Sequence, residues 1–400
     1  MRKIHALLGT VLFCLLFFCG TALAQEARDI TTECALKGSV NTKLVRELMD
    51  RDYKTYWQSQ GGSGAYLQVT LPGAETCGGV LIKWAREDIG FQIQAKAGDG
   101  WAPVAACKTG RLVEYVPLPE GISLFRIVLG DKVKGRMQIA ELYVFGRGET
   151  PCWVQRWQPP PEKADLLVIF AHPDDEVLFM GGTIPYYAGE RKMRVVAACL
   201  VPASHYRRLE LMDSLWLCGV RTYPEFGSMT DAFAGTLEEI YKKWSKDKLY
   251  QYIVMLYRKY KPDVVVSHDI YGEYGHGAHR AAADAARGAI KYAADAKKYR
   301  DTRKLYGTWQ VPKLYLHLYK ENRIRMDWRQ PLDFFGGRTA FEVAQEGYAC
   351  HWSQRKSRYV VEDFGPYDDS LFGLAYTRVG PDVEKNDFFE HIAPASKDSV

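Results

Sequence analysis

Two stretches, "LLVIFA" at 166–171 and "DVVVSH" at 263–268, are apolar at consecutive positions rather than at every second one. A strand with one wet face alternates. A strand that is apolar throughout is covered on both faces, as in a parallel sheet layered between helices. The neighbouring segments fit that arrangement: a helix after Glu176, a strand at 194–201, a helix from about Tyr206 to Leu217, another over about Leu237 to Tyr260, and one from about His276 to Lys297. An α/β domain is therefore expected over 165–375, with a parallel sheet and helices on both faces. Residues beyond about 370 read as loop.

Upstream the texture differs. Residues 30–147 carry short alternating runs, among them "YLQVTL", "FQIQAKA" and "ELYVFG", separated by Gly, Pro and Asp clusters, and this predicts an antiparallel sandwich. Between the two domains, 148–164 contains three consecutive prolines and is expected to be an extended linker.

Residues 1–24 have the order of a secretory signal: Arg2 and Lys3, an apolar core from Ala6 to Phe18, then Ala22-Leu23-Ala24 before Gln25. No other stretch approaches the roughly 20 apolar residues that a bilayer needs, so the mature chain is expected to be secreted or periplasmic, without a membrane span. Losing Arg2 and Lys3 lowers the formal charge from +5 to +3, and no dense basic block remains, which argues against a nucleic-acid partner. Seven cysteines follow position 24, and an odd number leaves at least one unpaired. Cys77 with Cys107, or Cys34 with Cys152, are candidate pairs, while Cys199 and Cys218 sit in apolar surroundings that suit a core.

Directly after the first apolar strand comes "HPDDE". In open parallel sheets ligands bind beyond the carboxyl ends of strands. His172 and Asp175, three apart around Pro173, can converge there, and an imidazole with a carboxylate suits a divalent metal of zinc type. Alone, the motif is equally a turn with an acidic helix start. After the second apolar strand comes "GEYGHGAH", where His276 and His279 open a helix three residues apart and would face the same crevice. Together the two loops read as a split metal site.

These residues, "AHPDDE", the following "GGT", "RRLELMDSLWLCGV" and "GEYGHGAHRAA", resemble the LmbE-like or PIG-L family of zinc-dependent N-acetylglucosamine deacetylases, whose fold is Rossmann-like; "HWSQ" at 351–354 is similar to a C-terminal signature of that family. The resemblance implies that His172, Asp175 and His279 ligate Zn2+ or another divalent metal, that Asp174 is the general base, and that His276 stabilises the oxyanion or assists proton transfer. Tyr274 falls where the family has a mobile tyrosine that contacts the reacting carbonyl, and Arg208 near a substrate-binding arginine, although Arg207 and Arg208 are as readily a solvated helix face. Where the family often has proline after the first histidine, this chain has Gly277. His268 reads as a satisfied strand-end residue, and His205, His317 and His391 have no pattern that assigns them.

The N-terminal segment, with "LMDRDYKTYWQS", "AYLQVTLPG", "GVLIKWA" and "IAELYVFG", resembles the discoidin or F5/8 type C family, a jelly-roll module that often binds carbohydrate, and the resemblance adds a Ca2+ site in this module to the expectations. The implied whole is an exported two-domain enzyme that removes acetyl groups from an N-acetylated sugar or glycan. The rival readings are a zinc amidase acting on another acyl amide, and a glycan-binding protein without catalysis.

Overall fold

The computed structural model describes residues 25–62, 64–87, 90–108, 111–130 and 135–393, so the expected signal at 1–24 lies outside the described residues. The first half forms nine strands: β1 (Ala35–Gly38), β2 (Trp57–Gln58), β3 (Tyr66–Thr70), β4 (Gly79–Trp84), β5 (Gly90–Ala97), β6 (Gly100–Lys108), β7 (Val113–Pro117), β8 (Leu124–Leu129) and β9 (Gln138–Phe145). They build two antiparallel sheets, ordered β1-β3-β8-β5-β6 and β2-β9-β4-β7. Alternation decides what meets between them: Leu67 and Val69, Phe91 and Ile93, and Phe125 and Ile127 turn inward against Val80, Ile82, Leu142 and Val144. Trp57 is fully buried in the same core, and its indole donates to Val40 O at 3.2 Å.

β4 is buried along its whole length because its second face, with Leu81 and Lys83, lies against the other domain. Lys83 Nζ reaches Asp213 at 2.5 Å, and Tyr53 OH donates to the same carboxylate at 2.5 Å. The 148–164 segment is packed rather than free: Val154 and Trp157 are buried, with Trp157 edge-on to Trp216 at 5.3 Å.

The second half adds β10 (Leu166–Phe170), β11 (Val195–Cys199), β12 (Glu225–Phe226), β13 (Val264–Ser267), β14 (Lys313–His317), β15 (Arg323–Arg325) and β16 (Leu371–Thr377) in one sheet, ordered β12-β11-β10-β13-β14-β16-β15. The first five run parallel, while β16 is antiparallel to both β14 and β15. Among the described residues seven α-helices accompany it: α1 (Asp175–Leu178), α2 (His205–Leu217), α3 (Leu237–Lys243), α4 (Lys246–Tyr260), α5 (Gly277–Ala294), α6 (Arg300–Tyr306) and α7 (Ala340–Ala349). Leu166, Val168 and Phe170 of β10 face a core that includes α2 and α7, and Leu167 and Ile169 face the alanine-rich side of α5 together with α4. The fold is thus an all-β sandwich followed by a layered α/β domain, as the patterning predicts.

Other expectations change. The long helix over 237–260 breaks at Trp244, whose indole is drawn to Thr230 O at 2.9 Å while Ser245 caps a new helix. The helix after Glu176 is a single turn, closed by Gly181 at φ 50°, against which Asp369 presses so closely that a Cβ there would lie 2.5 Å from its carboxyl carbon. The segment beyond 370 is no loop at its start, since β16 completes the sheet, and Phe388 further on is fully buried. Cys34, Cys77 and Cys152 are free thiols, so neither expected pair forms; Cys199 and Cys218 are fully buried.

Candidate metal centre

β10 lies between β11 on one side and β13 on the other, so the order in which successive strands are added reverses there, and at such a switch point a crevice opens beyond the carboxyl ends of these two parallel strands. Both histidine-bearing loops enter it. On the β10 side, the His172 N–H donates to Asp175 Oδ2 at 2.7 Å, and this turn brings His172 Nδ1 to 3.3 Å from the same oxygen. Asp174, between them, has φ 126° and ψ −30°, a conformation that costs a non-glycine residue about 1–3 kcal/mol. Two groups hold it there. Glu176 Oε2 accepts the Asp174 N–H at 2.8 Å, and Arg207 donates to Pro173 O at 2.6 Å and to Asp174 Oδ2 at 3.3 Å. Glu176 is itself fully buried, and its other oxygen accepts from Ser214 at 2.7 Å and faces His351 Nε2 at 2.6 Å.

On the β13 side the organiser is Glu273, a fully buried carboxylate. Its Oε2 faces Nδ1 of His268 and Nδ1 of His279, each at 2.8 Å, and its Oε1 faces His317 Nδ1 at 2.6 Å and accepts the Asp269 N–H at 3.2 Å. These contacts fix the tautomers, because a carboxylate only accepts. His279 therefore carries its proton on Nδ1 and presents a lone pair at Nε2. His268 does the same, and its Nε2 takes the Ala171 N–H at 3.0 Å. His317 faces an acceptor at both nitrogens, the second being Asp368 O at 3.0 Å. His276 caps α5 by accepting the Ala278 N–H at its Nδ1 (3.2 Å), which leaves its Nε2–H as a donor when the ring is neutral.

Among the described residues two groups of three converge: His172, His276 and His279, and Asp175, His268 and His279, with ligand atoms in each group within 4.8 Å of one another. The bonding of the rings separates them. His268 Nε2 is occupied by a backbone amide and His276 Nε2 is a donor, whereas Asp175 Oδ2 stands 3.3 Å from His172 Nδ1 and 3.4 Å from His279 Nε2. Four ligands at zinc distances of about 2.0–2.1 Å stand about 3.3–3.4 Å from each other in a tetrahedron. His279 Nε2 is buried with no hydrogen-bond partner, as a lone pair reserved for a cation would be. The residues present fit a divalent metal.

Burial would raise the Asp175 carboxyl, but positive charge on the side of His279 and His268, with the His172 contact, outweighs it and holds Asp175 well below the usual range; a cation held at the His279 lone pair would supply the same charge. Burial pushes Asp174 up to about 7; the Asp175 charge adds to this and Arg207 opposes it. Burial, with His279 and His172 nearby, lowers His276 to about 3, which keeps it neutral.

The structure brings His172, Asp174, Asp175, His276 and His279 together. Tyr274 joins them from a left-handed turn (φ 44°), with its ring 5.2 Å from that of His279 and stacked on Tyr359 at 4.5 Å. Arg208 does not: it pairs with Glu87 of the sandwich at 2.6 Å, and its neighbour Arg207 is the arginine that touches Asp174. Sequence reasoning missed the role of Glu273 and of His317. The only signal for Glu273 was a carboxylate three residues before His276, and His317 had none.

The profile of the family described as GlcNAc-PI de-N-acetylase matches residues 167–290, the stretch that holds both loops. A 1D-myo-inositol 2-acetamido-2-deoxy-alpha-D-glucopyranoside deacetylase from a Nocardioides species is 30% identical over 212 residues, covering 44% of this chain and 69% of the relative. A second, from Frankia casuarinae, is 29% identical over 200 residues, covering 42% and 64%. Among solved structures, N,N'-diacetylchitobiose deacetylase from Pyrococcus horikoshii is 21% identical with a TM-score of 0.36, covering 50% of this chain and 74% of that one. A family 32 carbohydrate-binding module from C. perfringens is 20% identical with a TM-score of 0.25, covering 28% and 94%. On the strength of the sequence relatives, which share the segment carrying the two histidine loops, the chain belongs to the GlcNAc-PI de-N-acetylase family.

Proposed function

We propose that this protein is an exported, zinc-dependent N-deacetylase that hydrolyses the acetamido group of an N-acetylglucosamine-type sugar. The observation that carries this reading is the convergence of Asp175 Oδ2 on His172 and His279 with Asp174 alongside. Held by His172, Asp175 and His279, a divalent metal would polarise the amide carbonyl and lower the pKa of a water to about 7. Asp174 is no ligand in this scheme: it takes the proton of the attacking water and delivers it to the leaving nitrogen. Its fixed backbone removes the freedom that would otherwise be lost at each turnover. His276, neutral and with Nε2–H directed outward from its cap, donates to the oxygen that becomes negative as the tetrahedral centre forms, a contribution of roughly 10²–10³ in rate for one such donor. Tyr274 is a second donor at the same oxygen. The sandwich, by its sequence resemblance, holds the glycan that carries the reacting sugar.

The test is acetate release from a panel of N-acetylated sugars and glycans by protein of measured metal content, with and without a chelator. Chelator-sensitive release restored by zinc is the expected result. If zinc-loaded protein yields no acetate across the panel, the reading fails. Export is checked separately: mature protein should begin at Gln25, and an N-terminus at Met1 on extracellular material would sink that part.

A further inference from the structure

The loop at 227–236, between β12 and α3, is fixed by its backbone at successive residues. Thr230 O accepts from the Trp244 indole at 2.9 Å, Phe233 O from Lys243 Nζ at 2.5 Å, and Ala234 O from the Gly277 N–H at 2.7 Å. Gly235 N–H donates to Glu239 Oε2 at 2.9 Å, Thr236 caps α3, and Met229 and Ala234 are buried in the core. The one aromatic side chain of the loop is left out: Phe233 is 75% exposed. Its ring stands edge-on to His276 at 5.6 Å between centroids, while Tyr274 stands at 5.5 Å from the same imidazole. His276 thus lies between an exposed aromatic wall and a stacked tyrosine pair.

Gly277 is what lets the loop come so near. A Cβ at that position would lie 2.9 Å from Ala234 Cβ, Ala234 O and Thr236 O, and a proline would also remove the N–H that holds Ala234 O. The glycine between the two histidines therefore serves loop docking.

Folding gains nothing from an exposed phenylalanine. A rigid loop that presents one beside the hydrolytic centre gains on binding, because the ring is already placed and little entropy is lost when a ligand covers it. A pyranose has an apolar C–H face that an aromatic ring can cover, and its acetamido carbonyl, joined through a single nitrogen, stays within reach of His276. We propose that Phe233 is the stacking platform for the pyranose ring that bears the reacting acetamide. It makes the centre selective for ring-closed amino sugars over acyl amides in general. This rests on the deacetylase reading and narrows its substrate class.

The experiment uses zinc-loaded full-length protein and two probes, N-acetylglucosamine and the acyclic N-acetylethanolamine. Equilibrium binding is measured calorimetrically in an Asp174→Asn background, and KM and kcat by acetate release in the otherwise wild-type enzyme. Phe233→Ala should weaken sugar binding and raise its KM about 3–10-fold, the range of an aromatic contact, with the acyclic probe unaffected. Phe233→Trp should restore the sugar affinity, and Gly277→Pro should reproduce the loss. Equal sugar affinity with and without the ring overturns the platform, as does an equal loss for both probes or the absence of sugar binding by the parent protein. Sugar binding without acetate release would instead overturn the deacetylase reading, and the binding series would still decide on Phe233.

Discussion

Asp174 is the residue at which the backbone is most visibly constrained, and its constraints predict how its neighbours behave when replaced. On the proposed reading of Asp174 as a base that does not ligate, Asp174→Asn should abolish turnover and retain metal; loss of zinc from that variant, measured by elemental analysis, would show the role to be wrong. His172→Ala should lose the metal. Glu176 connects Asp174 to His351, which lies far along the chain in the "HWSQ" segment. His351→Gln should therefore lower kcat about tenfold or more with metal affinity unchanged, since a small misplacement of a reacting group costs on the order of 10²-fold. Glu273→Gln acts on the other side. It leaves one oxygen and one amide facing three histidines, so metal affinity, measured by competition with a chromophoric chelator, should fall about 10–100-fold. An unchanged affinity would mean that Glu273 does not orient His279.

At the scale of elements, the least expected piece is the C-terminal one. β16 closes the sheet, and beyond it Asp382 receives Lys313 Nζ and Tyr315 OH, both at 2.5 Å, with Lys313 and Asp382 side chains fully buried. Asp382→Ala strands a buried ammonium, and such a change costs about 3–5 kcal/mol; thermal unfolding should report a drop of several degrees, while Lys313→Met with Asp382→Leu should recover much of it. This pair also explains what could be read from the chain and what could not. The apolar strands β10 and β13 and the histidine loops after them were legible because short-range spacing after a buried strand is a local signal. β14 was not: "KLYLH" places a lysine and a histidine at fully buried positions, and both are satisfied by groups remote in sequence, among them Asp382 and Glu273. Arg207 and Arg208 failed for a related reason. Adjacent helical residues point about 100° apart, and only the packing of α2 decides which one meets Asp174 and which meets Glu87.

For the whole molecule, the joint between sandwich and α/β domain is polar and buried, and this gives it a pH dependence with a definite sign. Glu141 of β9 stands opposite Lys83 of β4 in the ladder, on the face turned to α2, and only 1% of it is exposed. Burial pushes its carboxyl up to about 8; nearby Asp50 adds to this and Lys83 opposes it. In the unfolded chain a glutamate titrates near about 4.3. The folded state therefore keeps a proton that the unfolded chain releases, so the contribution is complete below the unfolded value and is lost as pH rises through about 8. Across that window each pH unit should lower stability by up to about 1.4 kcal/mol. Calorimetric melting between pH 5 and pH 8.5 should show a falling Tm in the native protein and a flatter profile in Glu141→Gln, where the neutral side chain remains at every pH. Parallel profiles for the two proteins would mean that Glu141 ionises freely and that the joint between the domains owes nothing to its proton.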